Sequence, residues 1–207
     1  MMKKVLAILG DYYHPEEKIR ETLDFILRDI YQVEYVSHEN FLESLRRNPY
    51  LVIIGRENKL NPQGENSPVW MSDGIENVLV DYVINGGKLF VLHSGLASYN
   101  VNGKYVRELT RGYFKYHPER KIVKYYGKYP EKDEEICFEI FDEHYFVEVD
   151  KENTNIFLYS SSSDGESIAG WYHNYGKGKV LCFTPAHNEA LEDEKLRRFL
   201  RDLILWM

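Results

Sequence analysis

The stretch Gly86-Gly87-Lys88-Leu89-Phe90-Val91-Leu92-His93-Ser94-Gly95-Leu96-Ala97 constrains the fold of this chain more than any other. A double glycine leads into an apolar run without polar alternation, the signature of a strand covered on both faces of a parallel sheet. The run stops at His-Ser-Gly, where Gly95 permits a sharp turn and Ala97 can begin a helix. A side chain at such a strand-to-helix turn is held at the carboxyl edge of the sheet, where open α/β folds place their ligands. Here that side chain is His93, with Ser94 beside it.

The flanking segments extend the same pattern. Val5 to Leu9 reads as a buried strand ending at Gly10-Asp11. Pro15 opens a helix whose apolar face is Ile19, Leu23, Ile26, Leu27 and Ile30. Val33 to Val36 reads as a second strand, and Ser37 caps a short helix carrying Phe41, Leu42 and Leu45. Leu51 to Ile54 forms a third strand, running into Gly55-Arg56-Glu57. A long loop from Asn58 to Asp73 contains Trp70. Ser72 then caps a helix with Ile75, Val78, Leu79, Tyr82 and Val83, stopped by Asn85-Gly86. This β-α-β-α-β-α-β order at short spacing predicts an α/β, doubly wound, mostly parallel sheet of the flavodoxin-like kind.

The second half predicts extra short antiparallel strands: Ile122 to Tyr126, Ile136 to Ile140, Tyr145 to Val149, Ile156 to Tyr159 and Ile168 to Tyr172. Ser160 to Gly165 reads as a polar loop, and Asn174 to Gly178 as a longer hairpin connection. Val180 to Phe183 is another buried strand. The last helix has Glu192, Asp193 and Glu194 in its first turn, matching its dipole, and Leu196, Phe199, Leu200 and Leu203 as its core stripe. No repeat or linker divides the chain, so residues 1–207 are expected to form one domain.

Composition narrows the partners. The chain has 207 residues, 43% of them hydrophobic and 29% charged, as in soluble globular proteins. A net charge of -7 and the lack of a Lys/Arg block argue against a nucleic-acid partner. No run approaches the length of a membrane span, and the apolar stretch near the start is too short for a secretory leader, so a cytoplasmic location is expected. Cys137 and Cys182 each sit in an apolar run and read as buried structural thiols. A dimer would need an exposed apolar edge, which periodicity does not locate; homo-oligomerisation stays open.

Four strand ends should open on one edge of the sheet. They present Asp11, Tyr12 and His14; Arg56 and Glu57; His93 and Ser94; His187 and Glu189. Imidazoles there suit acid/base work at neutral pH or metal binding. Asp142-Glu143-His144-Tyr145 packs two acids, an imidazole and a phenol into four residues. Alternation would put Asp142 with His144, or Glu143 with Tyr145, on a shared face. His117, before Pro118, either faces a pocket or shapes an extended connector. There is no Gly-x-Gly-x-x-Gly after the first strand, no phosphate-binding loop, no His-Glu-x-x-His and no Gly-x-Ser-x-Gly around Ser94.

Taken together, the Gly-Gly run into Leu92-His93-Ser94, the Asp-Glu-His-Tyr segment and Trp171…Tyr175-Gly176-Lys177-Gly178-Lys179-Val180…Ala186-His187 resemble the ThuA-like (trehalose utilisation) family. That family belongs to the class I glutamine amidotransferase-like fold, and the likeness runs from about Leu51 to the C-terminus. Ala186 stands where the family has Gly. Amidotransferases of this fold carry a nucleophilic Cys at the elbow and His-x-Glu after the last parallel strand. Here His93 occupies the elbow and His187-Asn188-Glu189 the second motif, so the resemblance implies the scaffold without glutamine hydrolysis.

The resemblance implies a sugar-directed protein, and two readings follow. In one it is an enzyme acting on a disaccharide or keto-sugar. His93, His187, Glu189 and Glu143 would be its catalytic groups; His14, Tyr12, Glu57, Ser94, His117 and Tyr145 would bind the substrate. Tyr12, Trp70 and Tyr145 would supply stacking walls. A variant adds a zinc-like divalent metal on His14, His93 and His187 with one carboxylate; no cofactor is otherwise implied. In the other reading the chain is a non-catalytic sugar-binding or regulatory module on the same scaffold.

Overall fold

The structure, a computed structural model, describes residues 2–64 and 66–207. Its core is five parallel strands: β1 (Lys3–Leu9), β2 (Tyr31–Tyr35), β3 (Leu51–Gly55), β4 (Lys88–Leu92) and, much later in the chain, β11 (Gly178–Phe183). β3 and β4 are buried along nearly their whole length, as the lack of alternation in their sequences requires. Helices α1 (Glu16–Leu27), α2 (His38–Leu45) and α3 (Asp73–Ile84) connect the first four strands, and α4 (Glu194–Trp206) follows the last. Two apolar layers cover the sheet. On one face α1 and α4 pack through Leu23, Leu27, Phe199 and Leu203. On the other, α2 and α3 pack through Phe41, Leu45, Leu79 and Val83.

The antiparallel strands expected in the second half are present, and most of them extend this sheet. β6 (Lys121–Lys128), β7 (Glu135–Asp142), β9 (Asn155–Ser162) and β10 (Gly165–Tyr175) add antiparallel to β11, giving the order β2-β1-β3-β4-β11-β10-β9-β6-β7. These strands run to 11 residues, longer than sequence predicted, because cross-strand pairing carries them through polar positions. Ser160 to Ser162 therefore lie in β9, and only Ser163 and Asp164 separate it from β10. The β10–β11 connection is likewise reduced to Gly176-Lys177, with Gly176 at φ 59°. β5 (Gly112–Tyr116) and β8 (Phe146–Val149) pair as a separate ribbon.

Other expectations change in detail. α1 ends at Leu27, so Ile30 packs on the core from outside the helix. Ser72 caps α3 by accepting from Ile75 N, but Ser37 makes no such bond at α2. No α-helix begins at Ala97: a 3₁₀ turn spans His93–Leu96, Ala97 is extended, and a π-helical turn follows at Tyr105–Thr110. Cys182 is buried, whereas Cys137 is exposed. The cause is strict alternation along β7, which turns Ile136, Phe138 and Ile140 inward and Cys137 out.

Candidate active site: a buried three-histidine, one-glutamate cluster

The elbow after β4 differs from the expected one in which residue bends. His93 itself takes the left-handed conformation, at φ 45°. Such a backbone in a non-glycine residue is costly and persists where the surroundings enforce it. Gly95 serves close approach instead: a Cβ there would collide with the Ile54 carbonyl oxygen of β3. The turn is thus pressed onto the neighbouring strand, and the His93 ring is carried over the end of the sheet.

Three partners behind the cluster, two of them carboxylates, hold its residues in place. Asp11, after β1, accepts from the backbone N–H groups of Tyr13 and His14 through Oδ1, at 3.0 Å each. The same oxygen lies 2.7 Å from His14 Nδ1, leaving Nε2 to face the cluster. His93 Nδ1 lies 2.6 Å from the Thr184 carbonyl oxygen. A carbonyl only accepts, so Nδ1 carries the proton and Nε2 keeps its lone pair. Asp142, at the end of β7, accepts from His187 N at 2.7 Å and Glu143 N at 2.9 Å through Oδ1, and from the Tyr125 hydroxyl through Oδ2. One buried carboxylate thereby ties the loop after β11 to the Glu143 backbone.

The product is a compact group. His14, His93, Glu143 and His187 offer donor atoms that all lie within 4.8 Å of one another, and all four residues are buried. Glu143 Oε2 is 3.8 Å from His14 Nε2, 3.4 Å from His93 Nε2 and 3.3 Å from His187 Nδ1. Those three nitrogens are buried without a hydrogen-bond partner. The Tyr145 ring stacks on His93 with centroids 4.0 Å apart, and Phe114 packs behind Tyr145.

The charges follow from this geometry. Burial opposes charge on His14, yet Asp11 and Glu143 outweigh it and raise its pKa to about 9. For His93 burial wins over Glu143, and its pKa falls to about 4, so the ring is neutral. Burial would raise Glu143, but the three histidines outweigh it and hold the carboxyl well below the usual range. Asp11 likewise falls to about 2 against the pull of burial, through His14 and the Glu57 N–H. A pocket of about 400 Å³ opens beside the cluster, lined by Tyr13, His14, Glu57, Lys59, Pro62, Ala97, Ser98, Phe114, His117, Glu143 and Tyr145.

The sequence candidates therefore divide. His14, His93, Glu143, His187 and Tyr145 come together, with Glu57 on the pocket wall and Ser94 buried beneath the elbow. His117 stands at the rim, its Nε2 3.8 Å from Glu143 Oε2. Glu143 and Tyr145 share the pocket side as alternation suggested, while His144 turns away to Ser160 and Ser162. Tyr12 is 57% exposed and lies off the pocket; its neighbour Tyr13 takes that wall, because the Asp11-anchored turn points Tyr12 to solvent. Glu189 faces outward to Arg120 at 2.8 Å, since the chain enters a 3₁₀ turn at Asn188. Trp70 is core, packed on Phe41 and Tyr99. The sequence offers Asp142 with Glu143 as acids that orient the histidines, and Asp142 does so through the His187 backbone N–H, whereas the positioning role of Asp11 rests on backbone contacts within its turn that the sequence does not show.

Fold and site together define an α/β protein with a doubly wound, mostly parallel sheet and a histidine at the elbow after β4. The chain belongs to the ThuA family, described as trehalose utilisation, whose model matches residues 5–207. Its structure is similar to that of a ThuA-like protein from Parabacteroides merdae, with 15% identity, TM-score 0.73, and coverage of 100% of this chain and 90% of that one. It is also similar to a cytoplasmic protein of Salmonella typhimurium LT2, with 17% identity, TM-score 0.68 and 98% of both chains covered. A β-galactosidase from Bacillus circulans contains a similar fold over 31% of its length, at 9% identity and TM-score 0.68, covering 99% of this chain. No curated protein sequence matches it. Among the described residues, no helix is long and apolar enough to cross a membrane.

Proposed function

We propose that His14, His93, His187 and Glu143 hold a zinc-like divalent metal, and that the adjoining pocket takes a sugar-type small molecule for metal-assisted acid/base chemistry. One observation carries this reading: three buried, unpartnered imidazole nitrogens converge on a single carboxylate oxygen. Buried polar atoms left unpaired are costly, and one cation would satisfy all of them. Ligands around a tetrahedral ion with bonds of about 2.1 Å stand roughly 3.4 Å apart, close to the spacing of Glu143 from the three imidazoles. Asp11 and the Thr184 carbonyl behind two of the rings are the outer partners that metal-bound histidines use.

A metal here would polarise a ligand oxygen, and Tyr145 and Phe114 would form an apolar wall for a sugar ring. Glutamine hydrolysis has no place in this reading. Cys182 is buried within β11, Cys137 lies on the exposed face of β7, and neither sits at the elbow. The family description supports a carbohydrate ligand, and a cytoplasmic setting suits two unpaired cysteines.

The test is a thermal-shift panel of zinc, cobalt and manganese, alone and with mono- and disaccharides, on wild type and His93→Ala. A ligand at a hundredfold excess over its dissociation constant stabilises by about 2.7 kcal/mol. Metal should stabilise wild type and not His93→Ala, and a sugar should add a shift only once metal is present, with turnover then followed on that sugar. No metal response in wild type would overturn the reading. Saturable sugar binding without conversion would leave a binding module.

A further inference from the structure

Glu57, at the end of the turn after β3, belongs to the pocket wall and has no part in the metal cluster. It is 5% exposed. Its Oε2 accepts from the Ser98 hydroxyl at 2.8 Å, while Oε1 is buried without a partner. Protonation does not resolve this: an ionised Oε1 lacks a donor, and a protonated one lacks an acceptor. Burial holds the pKa above that of an ordinary glutamate.

The surrounding loops are built to keep the carboxyl there. Glu57 N donates to Asp11 Oδ2 at 3.1 Å, joining it to the residue that aims His14. Asn58 N donates to the Ala97 carbonyl, and the Tyr99 hydroxyl to that of Arg56, binding the β3 turn to the chain after the elbow. Ser98 is in the left-handed conformation at φ 64°, and its hydroxyl engages Glu57. A strained serine that fixes one oxygen of a buried acid on a pocket wall, and leaves the other without a partner, marks a ligand contact.

We propose that Glu57 Oε1 is the second substrate contact of this pocket, selecting ligands that present a hydroxyl donor while another of their oxygens faces the His14–His93–His187–Glu143 cluster. The inference rests on the reading of that cluster as a metal centre beside a sugar pocket. It makes the ligand a polyhydroxy molecule with at least two oxygens able to reach the two points. A ligand lacking the donor leaves Oε1 buried and unpaired, and sites of that construction reject such analogues strongly.

The experiment loads wild type, Glu57→Gln and Ser98→Ala with zinc, measures metal per chain, and titrates each with trehalose, glucose and fructose by calorimetry. Thermal unfolding of the loaded proteins checks that the variants are folded. The inference predicts full metal content in all three proteins and at least tenfold weaker sugar binding in Glu57→Gln, with a smaller loss in Ser98→Ala. Equal sugar affinity in wild type and Glu57→Gln overturns the role of Glu57 and leaves the metal reading standing. Metal loss in Glu57→Gln also overturns it, since the residue would then serve the cluster. Metal-loaded wild type that binds none of the three sugars removes the ligand class and the inference with it. Wild type that takes no metal overturns the underlying reading itself.

Discussion

Asp142 gives the sharpest structural prediction, because three groups depend on its one buried carboxylate. Asp142→Ala leaves the backbone N–H of Glu143, that of His187 and the Tyr125 hydroxyl without their acceptor. At about 1–3 kcal/mol per stranded buried group, the loss is roughly 3–9 kcal/mol, a large share of the about 5–15 kcal/mol that holds a typical domain together. Asp142→Asn behaves differently. It keeps an oxygen for the two N–H groups and removes a charge that burial disfavours. The Asp142 pKa rises from 3.8 to about 6, chiefly through burial, opposed by the Tyr125 and backbone hydrogen bonds. That difference corresponds to roughly 3 kcal/mol of cost for the ionised form at neutral pH. Its removal offsets the weaker neutral hydrogen bonds, so Asp142→Asn should stay within about 1.5 kcal/mol of wild type. The sign with pH is fixed by linkage. The folded chain binds the extra proton between pH 3.8 and about 6, so wild type should lose stability relative to Asp142→Asn as pH rises through that window. Urea unfolding at several pH values reads both effects through the midpoint at constant slope. Equal losses in Ala and Asn variants, or a loss under about 1 kcal/mol in Ala, would refute the assignment.

Two further outcomes follow from particular contacts. Gly95→Ala pushes a methyl group onto the Ile54 carbonyl oxygen, a backbone atom that cannot step aside, and should cost about 3 kcal/mol or more; chemical denaturation of the purified variant checks it, and a near-neutral result would mean the elbow is not pressed onto β3. Tyr12→Ala and Glu189→Gln change groups outside the pocket, so each should shift stability by under about 0.5 kcal/mol and leave metal content and sugar binding at wild-type levels.

The parallel half of the fold was readable because its signals are local. Leu89 to Leu92 and Leu51 to Ile54 are unbroken apolar runs, and the helices between them show helical periodicity and an effective cap at Ser72. Strand ends on one edge of a parallel sheet must converge, which makes the gathering of His14, His93 and His187 legible from strand order alone. Glu143 arrives from an antiparallel strand end beside them, placed by a hydrogen bond between Asp142 and the loop after β11. Such a long-range contact leaves no local periodicity. The lengths of β9 and β10 were hidden for a similar reason: Ser160 to Ser162 read as a loop by composition and become strand by pairing. Tyr12 and Tyr13 could not be told apart, because the Asx-type turn made by Asp11 decides which of them faces the pocket.

The proposed metal centre of three histidines and Glu143 can be tested on the purified chain. The most direct measurement is metal content per chain by elemental analysis after loading with zinc and exhaustive dialysis, on wild type, His93→Ala and Glu143→Gln. Wild type should keep about one tightly held ion per chain, and both variants should lose it while they stay folded, as expected when one of few ligands is removed. Wild type that keeps no metal, or variants that keep as much as wild type, would contradict it.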